Sequence, residues 1–159
     1  MSHPKESTLK SKSYSYAVHY LSRYPKTRKE LELKLMQKWY SQEDILETID
    51  TLILQNIIDD EKFADSYIYS ECVKKGKPLF VIKKKLLFKG IDVSILDDVC
   101  KRYEDDIAEG ILNKIIKDIE NYKKRGVEWL DIVQKLMRKW YRVDQIKEAV
   151  KLRDQEIGF

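Results

Sequence analysis

The residues able to carry covalent or acid–base chemistry are few and scattered. Cys72 and Cys100 are the only cysteines, and His3 and His19 the only histidines. No CxxC pair exists, so a disulfide framework or a cysteine zinc cage has nothing to build on, and two lone thiols fit a reducing cytoplasm. His3 stands in a polar, Lys/Ser-rich amino-terminal stretch. His19 lies inside a helical pattern, where an isolated imidazole more often serves structure than catalysis. No GxGxxG, phosphate-cradling GKS/T loop, HExxH or GxSxG occurs. Adjacent carboxylates such as Asp97 and Asp98 are expected in a chain that is 36% charged, and nothing orients them as acid and base. The inventory points away from an enzyme: no catalytic residue, metal or cofactor is assigned.

The chemistry the sequence does offer is electrostatic. Lys74, Lys75, Lys77, Lys83, Lys84, Lys85 and Lys89 fall between Cys72 and Ile91 with no Asp or Glu among them. That stretch is +7 in a chain of net charge +4, so the remainder is net negative. Such a cluster attracts phosphate backbones or an acidic protein face. A compositional origin competes. The chain holds 24 Lys against 7 Arg and is rich in Ile and Tyr, the bias of an A/T-rich genome, which places lysines on solvated faces without a function.

A second pattern bears on that choice. Lys34 and Lys38, Lys85 and Lys89, and Lys135 and Lys139 are each spaced i, i+4. Like charges at that spacing cost a helix about 0.2–0.5 kcal/mol. The dipole at a helix C-terminus returns about 0.3–1 kcal/mol, enough to account for one lysine. Two in each of three places mark either a binding ridge or inheritance from one ancestral unit. Trp39-Tyr40 and Trp140-Tyr141 follow two of the pairs. Aromatics beside lysines can stack on bases; aromatics at a helix end more often cap a core, and core is the expectation here.

The pairs sit in repeated sequence. Lys34-Leu35-Met36-Gln37-Lys38-Trp39-Tyr40 returns as Lys135-Leu136-Met137-Arg138-Lys139-Trp140-Tyr141, with Lys85-Leu86-Leu87-Phe88-Lys89-Gly90-Ile91 between them. Leu31, Ile82 and Ile132 hold one equivalent apolar position. Ile45, Ile95 and Ile146 are read as a second, and Ile49, Val99 and Val150 as a third, which makes the turn of the middle copy one residue shorter. A period near 50 with apolar positions in phase is the signature of a repeat architecture.

Each copy reads as three helices. In the first, Ala17, Val18 and Leu21 stripe one helix, and Tyr24-Pro25 breaks it. Thr27 to Glu30 is a capping box that opens the second helix, whose face is Leu31, Leu35 and Met36. Ser41 caps the third, striped by Ile45, Leu46, Ile49, Leu52 and Ile53. The middle copy starts at Asp59-Asp60, with Phe63, Ala64, Tyr67, Ile68 and Val73 as its first stripe. It breaks at Gly76-Lys77-Pro78, ends its second helix at Gly90 and caps its third with Asp92. The last copy opens with a longer helix carrying Ile111, Ile115 and Ile119.

The expected fold is therefore all-α: three tandem three-helix repeats forming an elongated, solenoid-like array. The boundaries are a flexible basic tail over 1–13, then repeats over 14–57, 58–105 and 106–159. Five Gly and three Pro in 159 residues leave little for β-turns, and no apolar run approaches the roughly 18–20 residues that span a bilayer. The amino-terminal stretch has no apolar core of a secretory signal.

The run Ile57-Ile58-Asp59-Asp60-Glu61-Lys62-Phe63-Ala64, then Lys75-Gly76-Lys77-Pro78, then Ile82 through Leu86 to Lys89-Gly90-Ile91-Asp92, resembles the RecX family of bacterial recombination regulators. Tyr24 to Leu31 with Lys34-Leu35 is similar to the family's entry into its first unit. Lys26-Thr27 replaces the usual Arg-Ser, and Trp39-Tyr40 stands where Gly-Phe is common, a loss of glycine at position 39 that implies a different helix ending there. The resemblance covers roughly residues 14–155. It implies a small, cytoplasmic, non-enzymatic modulator of RecA, without cofactor, acting in DNA repair and the SOS response. Such proteins bind the RecA–single-stranded-DNA filament and usually suppress its ATPase, strand exchange and co-protease activities. The expected partners are the RecA filament and single- or double-stranded DNA, with no membrane, and the chain is expected to be a monomer. The candidate contacts are the eleven lysines of the basic stretch and the three pairs. A direct DNA-binding helical module and a scaffold for an unrelated protein stand as alternatives. Against the former, the helices lack the Arg, Asn and Gln expected to read base edges.

Overall fold

The structure, a computed structural model, describes residues 11–158. Nine α-helices are present among them, and no strand. The first repeat holds α1 (Lys12–Leu21), α2 (Arg28–Gln37) and α3 (Gln42–Leu54). The second holds α4 (Asp60–Ile68), which continues into a π-helical segment (Tyr69–Lys74), then α5 (Leu79–Phe88) and α6 (Val93–Arg102). The third holds α7 (Glu104–Lys124), α8 (Trp129–Arg138) and α9 (Val143–Ile157). Most of the expected tail over 1–13 lies outside the described residues. Its last two, Lys12 and Ser13, are already helical, because the Ser11 hydroxyl accepts from the Tyr14 backbone N–H and caps α1.

Local chemistry sets the other boundaries as expected. Thr27 Oγ1 accepts from the Glu30 N–H at 3.2 Å while the Glu30 carboxylate accepts from the Thr27 N–H at 3.1 Å, the reciprocal capping box. Ser41 caps α3 through the Asp44 N–H. The Asp59 carboxylate accepts from the Lys62 N–H at the head of α4, an acid where the helix dipole favours one. Gly76 and Gly90 hold φ of +64° and +86°, the left-handed conformation that glycine adopts without strain.

The chain divides into two compact units, Met1–Phe63 and Ala64–Phe159. The core of the first is Ala17, Leu31, Leu35, Ile45, Ile49, Leu52 and Ile58. A hydroxyl pair, Ser13 Oγ and Thr48 Oγ1 at 2.7 Å, is sealed beside it. In the second unit, α7 packs along the π-helical segment and α9. Gly110 makes the first contact possible: a Cβ there would lie 2.4 Å from the Val73 carbonyl oxygen. Tyr141 closes the same region by donating its hydroxyl to the Gly76 carbonyl at 2.8 Å. Leu35, Leu86 and Leu136, the leucine shared by all three copies, are completely buried.

Three expectations give way. The turn of the middle copy is not shortened: Ser41, Asp92 and Arg142 each precede the third helix of their repeat. The partner of Ile45 and Ile146 is therefore the buried Leu96, and Ile95 is only half-buried. Met36, Leu46 and Ile53 are exposed rather than part of the core. Most notably, α2 and α8 end as α5 does. Tyr40 N–H bonds to the Leu35 carbonyl, Ile91 to Leu86 and Tyr141 to Leu136, and Trp39 and Trp140 hold φ of +63° and +74° at the Gly90 position. The missing glycine changes the strain of that turn, not its geometry.

Candidate basic interface

The structure sorts the eleven lysines by what holds them. Lys75 and Lys77 both donate to the Glu71 carboxylate, the first at 2.6 Å. Glu71 stands one residue before the acid-free stretch, is 8% exposed, and is turned toward these lysines by the π-helical segment. Burial pushes its carboxyl up, but the two ammonium donors together outweigh burial and hold it below the usual glutamate value. The bond to Glu71 in turn raises Lys77. Lys83 pairs with Asp97 on α6 at 3.1 Å, and Lys74 stands over the Tyr69 ring at 5.5 Å. Lys89 is half-buried.

The i, i+4 pairs are held unevenly. Lys34 and Lys38 lie over the rings of Tyr20 and Tyr16, each at 5.6 Å. Lys139 reaches Asp118 at 3.1 Å and the Tyr122 ring at 5.5 Å. Burial pulls its ammonium down, and the bonds to Tyr122 and Asp118 outweigh that and raise it. Lys84, Lys85 and Lys135 are exposed, with no ion-pair partner among the described residues. Tyr16 and Tyr20 are half-buried against the core, and a surface lysine over such a ring is held by only about 0.5–1 kcal/mol, so Lys34 and Lys38 are easily recruited, whereas Lys75 and Lys77 belong to the architecture around Gly76.

Exposed apolar residues accompany the free lysines. Ile82 and Leu86 form the buried face of α5, and on the opposite face stand Phe80 at 59% exposure, Phe88 at 85% and Leu87. The Trp140 ring, itself 63% exposed, lies 5.7 Å from that of Phe80. Trp39 in the first unit is 93% exposed, so neither tryptophan caps a core. That place is taken by the next residue, the buried Tyr141 and the half-buried Tyr40. Phe80 and Phe88 were not among the candidate contacts. Their signal was present: Leu79-Phe80-Val81-Ile82 and Leu86-Leu87-Phe88 flank three lysines, more apolar side chains than one stripe of a surface helix buries.

Elsewhere the described residues offer little reactivity. Burial pushes the Cys72 thiol up to about 12 and the partly buried Cys100 thiol upward as well, so both are protonated at neutral pH. No group of three or more His, Cys, Asp and Glu side chains gathers among the described residues to hold a metal. No helix among them is long and apolar enough to cross a membrane.

Residues 14–52 match the family model described as RecX, first three-helix domain. The chain is 30% identical over 144 residues to the regulatory protein RecX of Clostridium acetobutylicum, covering 86% of this chain and 66% of that protein. It is 28% identical over 145 residues to the Haemophilus influenzae (strain PittEE) regulatory protein RecX, covering 89% and 95%. The crystal structure of RecX from Lactobacillus salivarius superposes with a TM-score of 0.75 at 30% identity, covering 91% of this chain and 96% of that one. The chain spans about half to two thirds of the length of the first curated relatives it matches.

Proposed function

Because this chain belongs to the RecX family of regulatory proteins, we propose that it binds the filament a RecA recombinase forms on single-stranded DNA and lowers the filament's ATPase, strand-exchange and co-protease activities. It does so in the cytoplasm, as a monomer and without catalysis or cofactor of its own. The observation that carries this reading is α5: three lysines and no acid in ten residues, with Lys84 and Lys85 outward and unpaired. Single-stranded DNA carries phosphates along its whole length, and a fixed cluster of cations lowers the free energy of docking there in proportion to the counterions it releases. Lys34 and Lys38 in the first unit and Lys135 in the second add cations of their own, while Lys74, Lys75, Lys77, Lys83, Lys89 and Lys139 contribute field more than direct bonds.

The test is the rate of ATP hydrolysis by a RecA recombinase on single-stranded DNA, titrated with this chain. The rate falls as the chain is added, and the effect weakens as salt rises. A rate unaffected by stoichiometric excess at low salt overturns the reading.

A further inference from the structure

We propose that Phe80, Lys84 and Phe88 of α5, continued by Trp140, form a stacking platform for the bases of single-stranded DNA. The proposal goes beyond filament regulation, since it requires no recombinase. Four observations carry it. The rings are outside: Phe88 is 85% exposed and Phe80 59%, on the face opposite Ile82 and Leu86. They are in sequence along the surface, since residues at i, i+4 and i+8 follow one another with Lys84 between the two rings. The lysines there are available, because Lys84 and Lys85 are exposed without an ion-pair partner among the described residues and α5 holds no acid. Finally, the ring row continues beyond the helix. Trp140 meets Phe80 at 5.7 Å, and the two border a cleft of about 420 Å³ also lined by Leu79, Ala108 and Ile111, with Lys83 and Arg142 against the single acid Glu104.

The chemistry selects the ligand. A protein partner burying this stripe would have to desolvate the lysine at its centre, and lysine is depleted from the cores of protein interfaces. A single strand makes no such demand: its bases offer apolar faces to the rings while its phosphates stay wet beside the ammonium groups. Phe80 and Phe88 are about 12 Å apart along the axis, roughly three steps of a stacked strand at about 3.4 Å each. One base meets each ring, with intervening phosphates opposite Lys84 and Lys85. A duplex keeps its base faces stacked away and cannot use the platform.

Fluorescence anisotropy decides it, with the full chain titrated into labelled oligothymidylate, an abasic strand with the same phosphates, and a duplex of equal length. The intact chain binds the oligothymidylate more tightly than the other two. Phe88→Ala, at a site too exposed to disturb folding, weakens oligothymidylate binding about five- to 150-fold and leaves the abasic strand unchanged, and Phe88→Trp restores binding. Lys84→Glu weakens both single strands alike. The proposal is overturned by no binding of the intact chain, by equal binding of the abasic strand, or by unaltered oligothymidylate binding in Phe88→Ala. If Phe88→Ala instead weakens only association with a recombinase filament, the stripe docks protein, and filament regulation survives without the platform.

Discussion

The turns after α2 and α5 share one geometry and differ in one residue. Both close with the same pair of backbone hydrogen bonds and place the residue after the helix at positive φ, +63° for Trp39 and +86° for Gly90. Glycine adopts that conformation freely, whereas a side chain there costs about 1–2 kcal/mol. Trp39 returns little of that cost through packing, since 93% of it faces solvent. Trp140, in the equivalent turn after α8, recovers part through its contact with Phe80. A backbone demand and a side-chain choice are thus separable: the buried leucine beneath the turn sets the shape, and the exposed residue at its tip is free to serve another purpose.

The largest effect lies beneath the turn. Leu86→Ala removes a completely buried side chain and should cost about 2–5 kcal/mol in urea unfolding. Leu35→Ala and Leu136→Ala should fall in the same range if the three turns are equivalent. A loss under about 0.5 kcal/mol at Leu86 would break the equivalence.

Glu71 comes next, because a buried acid holds Lys75 and Lys77 in the second repeat, whereas Lys34 and Lys38 in the first rest over tyrosine rings. Its carboxyl is held below the usual value of 4.5. Its contribution is therefore full above the unfolded pKa and disappears as pH falls through the lower folded pKa. Glu71→Gln should lose about 1 kcal/mol at neutral pH, a figure reduced by the solvent around the half-exposed Lys75 and Lys77. The stability curves of the variant and the intact chain should converge in acid; parallel curves down to low pH would show that the pair contributes nothing.

The tip of the turn should show effects no larger than that and of opposite sign. Gly90→Ala should destabilise by about 1 kcal/mol. Trp39→Gly should stabilise by up to about 1 kcal/mol, relief of strain exceeding the extra freedom of the unfolded chain. Trp140→Gly should gain less, because it forfeits a ring contact of about 0.5–1.5 kcal/mol. Thermal melts of the three variants rank them, and a loss of stability in Trp39→Gly would mean that the indole packs in a way its exposure denies.

The repeat and most helix boundaries were legible because they rest on local chemistry: the Thr27 and Ser41 caps, Gly90 after α5, and the leucine common to the three copies. The register of α6 was not. Ile95 and Leu96 are adjacent apolar residues, and only the position of Asp92 before the helix decides which turns inward. Nor were the bonds of the basic stretch. Glu71 lies just outside an acid-free window and reaches Lys77 because the chain widens into a π-helical turn, which no periodicity announces. Tryptophan at positions 39 and 140 read as core because large aromatics usually are; that a left-handed residue points its side chain away from the helix follows from backbone geometry invisible in the residue types. The exposed Phe88 was legible only as a surplus: α5 carries more apolar side chains than one stripe buries, and which of them stays outside is decided when Ile82 and Leu86 turn inward.

The central claim is that the lysines of α5, more than those of α2, hold the recombinase filament. The direct measurement is the inhibition of single-stranded-DNA-dependent ATP hydrolysis by the intact chain, by Lys84→Glu with Lys85→Glu, and by Lys34→Glu with Lys38→Glu. These are surface changes that should alter stability by no more than about 0.5 kcal/mol each. The account predicts strong inhibition by the intact chain, the greatest loss in the α5 double variant and a smaller loss in the α2 double variant, whose lysines rest over Tyr20 and Tyr16. Undiminished inhibition by both folded double variants would contradict it and move the binding surface to the acidic residues around Asp59, Asp60 and Asp65.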